Sequence, residues 1–235
     1  MSDRLAFRVL SGPEDLPRTL GVGSLGRAYA WPARPTVRAN FITTLDGSIA
    51  GPDGLSGSLG TAADQAVFHH LRDTCEAIVV GAGTVRDEGY GPPPSGTPLV
   101  IVSRQAAIPA GLITCPDVVL ATCSAAGTAL DRAIRDLGDD RVWVLGEQDV
   151  SARLLRDQLF DRGHRRILHE GGPSLATQWL GAECIDELCL TVVPRLGDNG
   201  PRLVASAGRP VELTSLVVLQ ESATLLTRWA VVRRD

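Results

Sequence analysis

The decapeptide Arg166-Ile167-Leu168-His169-Glu170-Gly171-Gly172-Pro173-Ser174-Leu175 joins an apolar run to two glycines and then to a proline suited to the first turn of a helix. It reads as a strand-to-helix turn. Glycine brings backbone close to a ligand because no Cβ intervenes. The first N–H groups of the following helix lack intrahelical partners and sit at the positive end of its dipole. The turn therefore suits an anion such as phosphate. A second turn, Val79-Val80-Gly81-Ala82-Gly83-Thr84-Val85, also follows an apolar run. Either turn alone is compatible with a purely structural role. Together they point to a nucleotide cofactor with more than one charged group. Neither reads G-x-G-x-x-G with a ribose-binding acid about twenty residues later, and no G-x-x-x-x-G-K-[ST] occurs.

Outward from these turns the chain alternates short apolar runs with helical patterns. The runs cover 77–80, 99–102, 118–121, 142–145, 166–168 and 187–193, and helical spacing appears near 128–137, 151–160 and 174–181. This alternation makes the fold class α/β, with a mixed, mainly parallel central sheet. The Val-, Leu- and Thr-rich segments 211–220 and 223–232, separated by Glu221-Ser222, read as a closing antiparallel hairpin. Upstream, the β-compatible run 36–42 leads into Thr43-Thr44-Leu45-Asp46-Gly47-Ser48-Ile49 and a glycine-rich loop over 51–60. Thr61 opens a helix with Asp64 as its capping partner, and Val67, Phe68 and Leu71 form the stripe expected to be buried. His69, His70 and Arg72 lie on other faces, open to solvent or ligand. Residues 1–33 mix Gly, Pro and Arg around Trp31-Pro32 and read as an irregular arm. Residues 34–235 read as a single domain, with 89–98 as a surface loop.

The 235 residues are 44% hydrophobic and 21% charged, enough for a substantial core. A net charge of −4 without a dense Lys/Arg cluster argues against nucleic acid as a partner. No run has the length of a membrane span, and Met1-Ser2-Asp3-Arg4 lacks the apolar core of a secretory signal, so a cytoplasmic location is expected. Cys75, Cys115, Cys123, Cys184 and Cys189 show no C-x-x-C spacing, which leaves them as small apolar fillers rather than a disulfide framework or zinc site.

Several side chains could carry chemistry. Ser103 and Arg104 follow the run 99–102, where a hydroxyl and a planar cation suit a ribose 2′-phosphate; Arg104 is otherwise a solvated surface arginine. Asp46, between Leu45 and Gly47 at a strand end, either faces a pocket or caps its own turn. Glu170 is a second carboxylate at a strand end. His69, His70, His164 and His169 form no metal-ligand pattern, and G-x-S-x-G and the H-x-E with P-C-x-x-C signature of zinc deaminases are absent. No metal is expected, and hydrolysis and deamination lose ground to chemistry carried by a bound cofactor.

Thr43-Thr44-Leu45-Asp46-Gly47, His70-Leu71-Arg72, Gly81-Ala82-Gly83-Thr84-Val85, Glu170-Gly171-Gly172-Pro173-Ser174-Leu175, and Ile185-Asp186-Glu187-Leu188 with Pro194 occur in that order. From about Arg34 onward the chain resembles the reductase domain of bacterial riboflavin-biosynthesis deaminase-reductases, a pyrimidine reductase family. The resemblance implies a dihydrofolate-reductase-like three-layer fold. It also implies NADPH-dependent reduction of 5-amino-6-(5-phosphoribosylamino)uracil to its ribityl form, with hydride reaching the sugar C1′ of a ring-opened imine. The implied cofactor set is Thr43, Ser58, Thr84, Glu88, Arg104 and the turn from Gly171 to Thr177, beside Gly81, Gly83, Val85 and Ser103 of the motifs above. The implied substrate set is Asn40, Ser56, Arg72 and Glu170, with Arg72 gripping the ribose phosphate bidentately. Asp46 would line the pocket between the two, and Asp46 and Glu170 are the candidate catalytic carboxylates. A homodimer is also implied. Two positions depart from the family: Asn40 stands where many members have lysine, and Ser58 where a loop tryptophan is common. A reductase of dihydrofolate or another pterin, with Asp46 holding the ring, and a non-catalytic nucleotide-binding module are the competing readings.

Overall fold

The computed structural model describes residues 5–197, 200–204 and 210–233. In chain order the elements begin with β1 (Ala6–Ser11), β2 (Thr19–Gly21), α1 (Leu25–Ala28), β3 (Thr36–Thr44), α2 (Ala62–Thr74), β4 (Ala77–Gly81) and α3 (Ala82–Asp87). They continue with β5 (Leu99–Val102), α4 (Ala110–Ile113), β6 (Val118–Thr122), α5 (Thr128–Leu137), β7 (Val142–Val144), α6 (Ala152–Asp161), β8 (Arg166–His169) and α7 (Pro173–Gly181). The last three are β9 (Glu187–Val193), β10 (Leu213–Glu221) and β11 (Thr224–Val231). One sheet of 11 strands runs β2-β1-β10-β11-β9-β3-β8-β4-β5-β6-β7. It is parallel from β7 to β9 and antiparallel from β9 to β2. The expected α/β fold is present, and β10 with β11 is the closing hairpin.

The two halves have different burial patterns for a simple reason. The central strands β4 and β5 have helices on both faces, so Ala-Ile-Val-Val and Leu-Val-Ile are buried without alternation. Ile78, Val80, Leu99 and Ile101 face a core shared with α2 and α3, while Val79 and Val100 face one shared with α6 and α7. In β10 only Val217 and Leu219 are buried, the alternation of a sheet covered on one face.

The expectation of an irregular arm over 1–33 is not met in residues 5–33, and residues 1–4 lie outside the described residues. Residues 6–11 and 19–21 are strands that extend the antiparallel edge, and Phe7, Leu20, Leu25 and Tyr29 are fully buried. Their apolar residues are spaced for a short edge strand, a period too brief to stand out among the surrounding Gly and Pro. A buried ionic cluster fastens this segment. Glu187 accepts hydrogen bonds from Arg38 Nε (2.8 Å) and from Arg228 Nη2 and Nε (2.8 and 3.0 Å). The remaining arginine nitrogens donate to the carbonyls of Ala28, Tyr29 and Ala30.

Burial alone would raise the Glu187 carboxyl, but its contacts with Arg228 and Arg38 hold it below its ordinary value of 4.5. A depressed carboxylate stabilises the fold above its unfolded value and loses that contribution as pH falls through the folded one. Glu187→Ala leaves two arginines buried without an anion and is expected to cost about 3–5 kcal/mol in urea unfolding. The parent protein is expected to lose stability as pH falls below 4.5, and the variant to lose less of it.

Candidate active site

The two glycine turns meet at the carboxyl ends of β4 and β8. The Gly81 N–H donates to the Gly171 carbonyl at 2.7 Å. A Cβ on Gly171, whose φ is +85°, would strike the Phe41 ring, and one on Gly172 would lie 2.7 Å from Thr84 Oγ1. Glycine is thus needed here for a close backbone approach. Gly172 is the N-cap of α7 and has no side chain to cap it, and Pro173 at its first position brings no N–H.

Beside this crossing lies a cavity of about 590 Å³, within the size range of small-molecule sites. One wall is Thr84, Glu88, Gly172 and Pro173; another is the face of α2 that carries Asp64, Phe68 and Arg72; Asn40 of β3 and Ser56 of the glycine-rich loop complete it. The spacing of four residues sets Asp64, Phe68 and Arg72 on one helix face, next to the face that buries Ala63, Val67 and Leu71. Phe68 is therefore a cavity residue, not part of the core stripe as its position beside Val67 suggests. The Thr61 hydroxyl accepts from the Asp64 N–H, which is the expected cap.

At the centre, Arg72 donates to Glu170 through Nε (2.8 Å) and Nη2 (2.7 Å), and the Tyr90 hydroxyl donates to the same carboxylate at 2.8 Å. Arg72 also lies over the Phe68 and Tyr90 rings, 4.4 and 4.9 Å from their centroids. Burial alone would lower the Arg72 pKa, but the hydrogen bonds and charge of Glu170 raise it, so the side chain stays cationic. Burial and then the Glu170 charge push the Tyr90 phenol well above its usual value, so it remains a donor. Burial raises Asp64, opposed by a hydrogen bond from the Thr191 side chain. Among the described lining residues Arg72 is the one cation, against Asp64, Asp87, Glu88 and Glu170.

The structure brings together part of the set expected from sequence. Asn40, Ser56, Arg72, Thr84, Glu88, Glu170, Gly172 and Pro173 share the cavity, and Glu88 accepts from the Ser56 N–H at 2.7 Å, which ties the loop to the end of α3. Asp46 is elsewhere: its carboxylate accepts from the Thr44 hydroxyl and the Gly197 N–H, bonds that lower its pKa, and it caps the turn after β3. The pocket-lining expectation for Asp46 is corrected accordingly. Thr43 is buried with its hydroxyl on the carbonyls of Thr44 and Ser48, and Ser58 bonds Asp53 and the Leu55 carbonyl; neither lines the cavity. Val85 belongs to the core, Leu175 packs against the other face of the sheet, and Ser174 is exposed. Gly81 and Gly83 shape the turn without lining the cavity. Ser103 accepts from the Ala107 N–H, and exposed Arg104 pairs with Asp149 at 3.3 Å. The Arg72 edge expected to grip a phosphate is occupied by Glu170. Asp64, Phe68 and Tyr90 are the site residues that the sequence reading missed.

The model of the family described as the RibD C-terminal domain matches residues 35–226. The chain belongs to that family. Among its relatives is the 2,5-diamino-6-ribosylamino-4(3H)-pyrimidinone 5′-phosphate reductase of Methanothermobacter thermautotrophicus, 28% identical over 186 residues, 74% of this chain and 86% of the relative. The Aquifex aeolicus enzyme of the same name is 26% identical over 230 residues, 86% of this chain and 98% of the relative. The crystal structure of a pyrimidine reductase-like protein from Corynebacterium diphtheriae superposes with a TM-score of 0.77 at 25% identity, covering 89% of this chain and 98% of that one. The Methanothermobacter and Aquifex relatives are named as reductases.

Tyr90→Phe removes one hydrogen bond to a buried carboxylate and is expected to cost about 1.5–3 kcal/mol in denaturant unfolding. Gly171→Ala meets both a left-handed φ and the Phe41 ring, and should lower the thermal midpoint more than Gly91→Ala, where nothing lies within 4 Å.

Proposed function

We propose that this protein uses NADPH to reduce a phosphoribosylaminopyrimidine to its ribitylamino form in riboflavin biosynthesis. The observation that supports this best is the two-sided cavity. A glycine turn and helix start, suited to the cofactor, face a helix wall bearing an aromatic ring, a carboxylate and the Glu170–Arg72 pair. Thr84, Glu88, Gly172, Pro173 and the free N–H groups at the start of α7 would hold NADPH, which supplies hydride when bound. Ser103 and Arg104 follow β5, the strand beside β4, on the same edge as both glycine turns. There Arg104 can exchange its exposed ion pair, worth little in water, for a ribose 2′-phosphate.

The chain's own work in this reaction is positioning and charge placement. Phe68 offers a flat apolar surface to a pyrimidine. Arg72 is the cavity cation available to a 5′-phosphate, which would compete with Glu170 for the guanidinium fork. Asn40 provides hydrogen bonding at the family lysine position without a charge. A pterin reading through Asp46 is not favoured, because that carboxylate is engaged in its own turn.

Following NADPH oxidation with phosphoribosylaminopyrimidines and with dihydrofolate tests this reading. Turnover of a pyrimidine is expected, and Arg72→Ala should lower its kcat/KM by about a hundredfold or more while the NADPH Kd changes less than about threefold. Turnover of dihydrofolate alone, or tight NADPH binding without turnover of any of them, contradicts it. Arg104→Ala is expected to raise the KM for NADPH by about tenfold and leave that for NADH unchanged.

A further inference from the structure

Of the two cavity acids that the reaction described so far does not use, Asp87 is paired with Arg86 and Asp64 has no cation among the described residues. Asp64 lies in the first turn of α2 with its backbone N–H taken by Thr61, while its carboxylate lines the cavity and receives a hydrogen bond from Thr191 of β9. The neighbouring acids are already served, Glu170 by Arg72 and Tyr90, and Glu88 by the Ser56 N–H. No cation is paired with Asp64 among the described residues. An ionised carboxylate offers about four lone-pair sites, and one hydroxyl leaves most of them for a ligand. A half-buried carboxylate in that state gains from further donors that arrive with a ligand.

The two phosphoribosylaminopyrimidines differ at the ring edge that such an acid reads. In the 2,5-diaminopyrimidin-4(3H)-one, N3–H and the 2-amino group are adjacent donors, spaced for the two oxygens of one carboxylate. In the uracil, a 2-oxo acceptor replaces the amino group, so one carboxylate oxygen would face another oxygen. We propose that Asp64 is a specificity-determining residue that accepts from the N3–H and 2-amino edge, so that the enzyme takes the diaminopyrimidinone ahead of the uracil. This rests on the pyrimidine-reductase reading above. Phe68, one turn further along the same face of α2, would pack against the ring whose edge Asp64 holds. A site that hydrogen-bonds a ligand donor discriminates strongly against the analogue lacking it, because its own polar group is then left unpaired.

The test is kcat/KM for both pyrimidines with the parent enzyme and with Asp64→Asn. Asparagine presents one acceptor and one donor, matching the N3–H and 2-oxo edge of the uracil, and it keeps the backbone N–H that Thr61 caps. The parent enzyme is expected to favour the diaminopyrimidinone by about a hundredfold or more, and Asp64→Asn to lower that ratio at least about tenfold by raising turnover of the uracil as well as lowering that of the diamine. A merely structural role would lower both substrates together and leave the ratio alone. An unchanged ratio overturns the proposal. So does a parent enzyme that reduces the uracil equally well or better, a result that needs no variant to fold. If the parent enzyme reduces neither pyrimidine, the reductase reading itself fails and this inference with it. Preference for the uracil overturns the inference and leaves that reading intact.

Discussion

The site depends on one backbone contact, the hydrogen bond from Gly81 to the Gly171 carbonyl that locks two strand-to-helix turns together. Adjacent parallel strands lie about 4.8 Å apart, so two turns leaving their ends crowd one another, and a Cβ on Gly171 or Gly172 would run into Phe41 or Thr84. With glycines there, the chain leaves β8 and enters α7 alongside Thr84, and the preceding Glu170 is directed toward α2. Both walls of the cavity follow from that crossing.

Charge placement then separates the interior of the protein from its cavity. Glu187 with Arg38 and Arg228 forms a closed cluster whose remaining donors are spent on the backbone carbonyls of residues 28–30, so it fastens the end of α1 and has no donor left for chemistry. The Glu170, Arg72 and Tyr90 group has similar hydrogen bonding but opens on the cavity, where an anionic ligand can compete for the guanidinium. The same physical device therefore serves stability at one place and recognition at the other.

The glycine turns, the mainly parallel centre, the hairpin and the cap at Thr61 were legible because each leaves a local signature of period, turn residue or breaker. Asp64 and Phe68 were hidden because two helix stripes, 63/67/71 and 64/68/72, run side by side, and sequence alone does not say which one faces the core. Tyr90 lies in a Gly/Pro-rich loop that has no period to read. Asp46 misled for the opposite reason: a carboxylate beside a glycine after a strand suits a pocket and a turn equally, and Thr44 with the Gly197 N–H decides for the turn. The first two strands were missed because β1 pairs with β10, more than two hundred residues away in the chain, and β2 joins the sheet only through β1.

The central claim is that this cavity sets a reduced nicotinamide against the sugar carbon of a pyrimidine ribotide. The most direct measurement uses NADPH carrying deuterium at its transferable position, with the product examined by NMR. The account requires deuterium at C1′ of a ribitylamino chain. Deuterium on a heterocyclic ring carbon, or NADPH consumed with no label in a ribityl product, would contradict it.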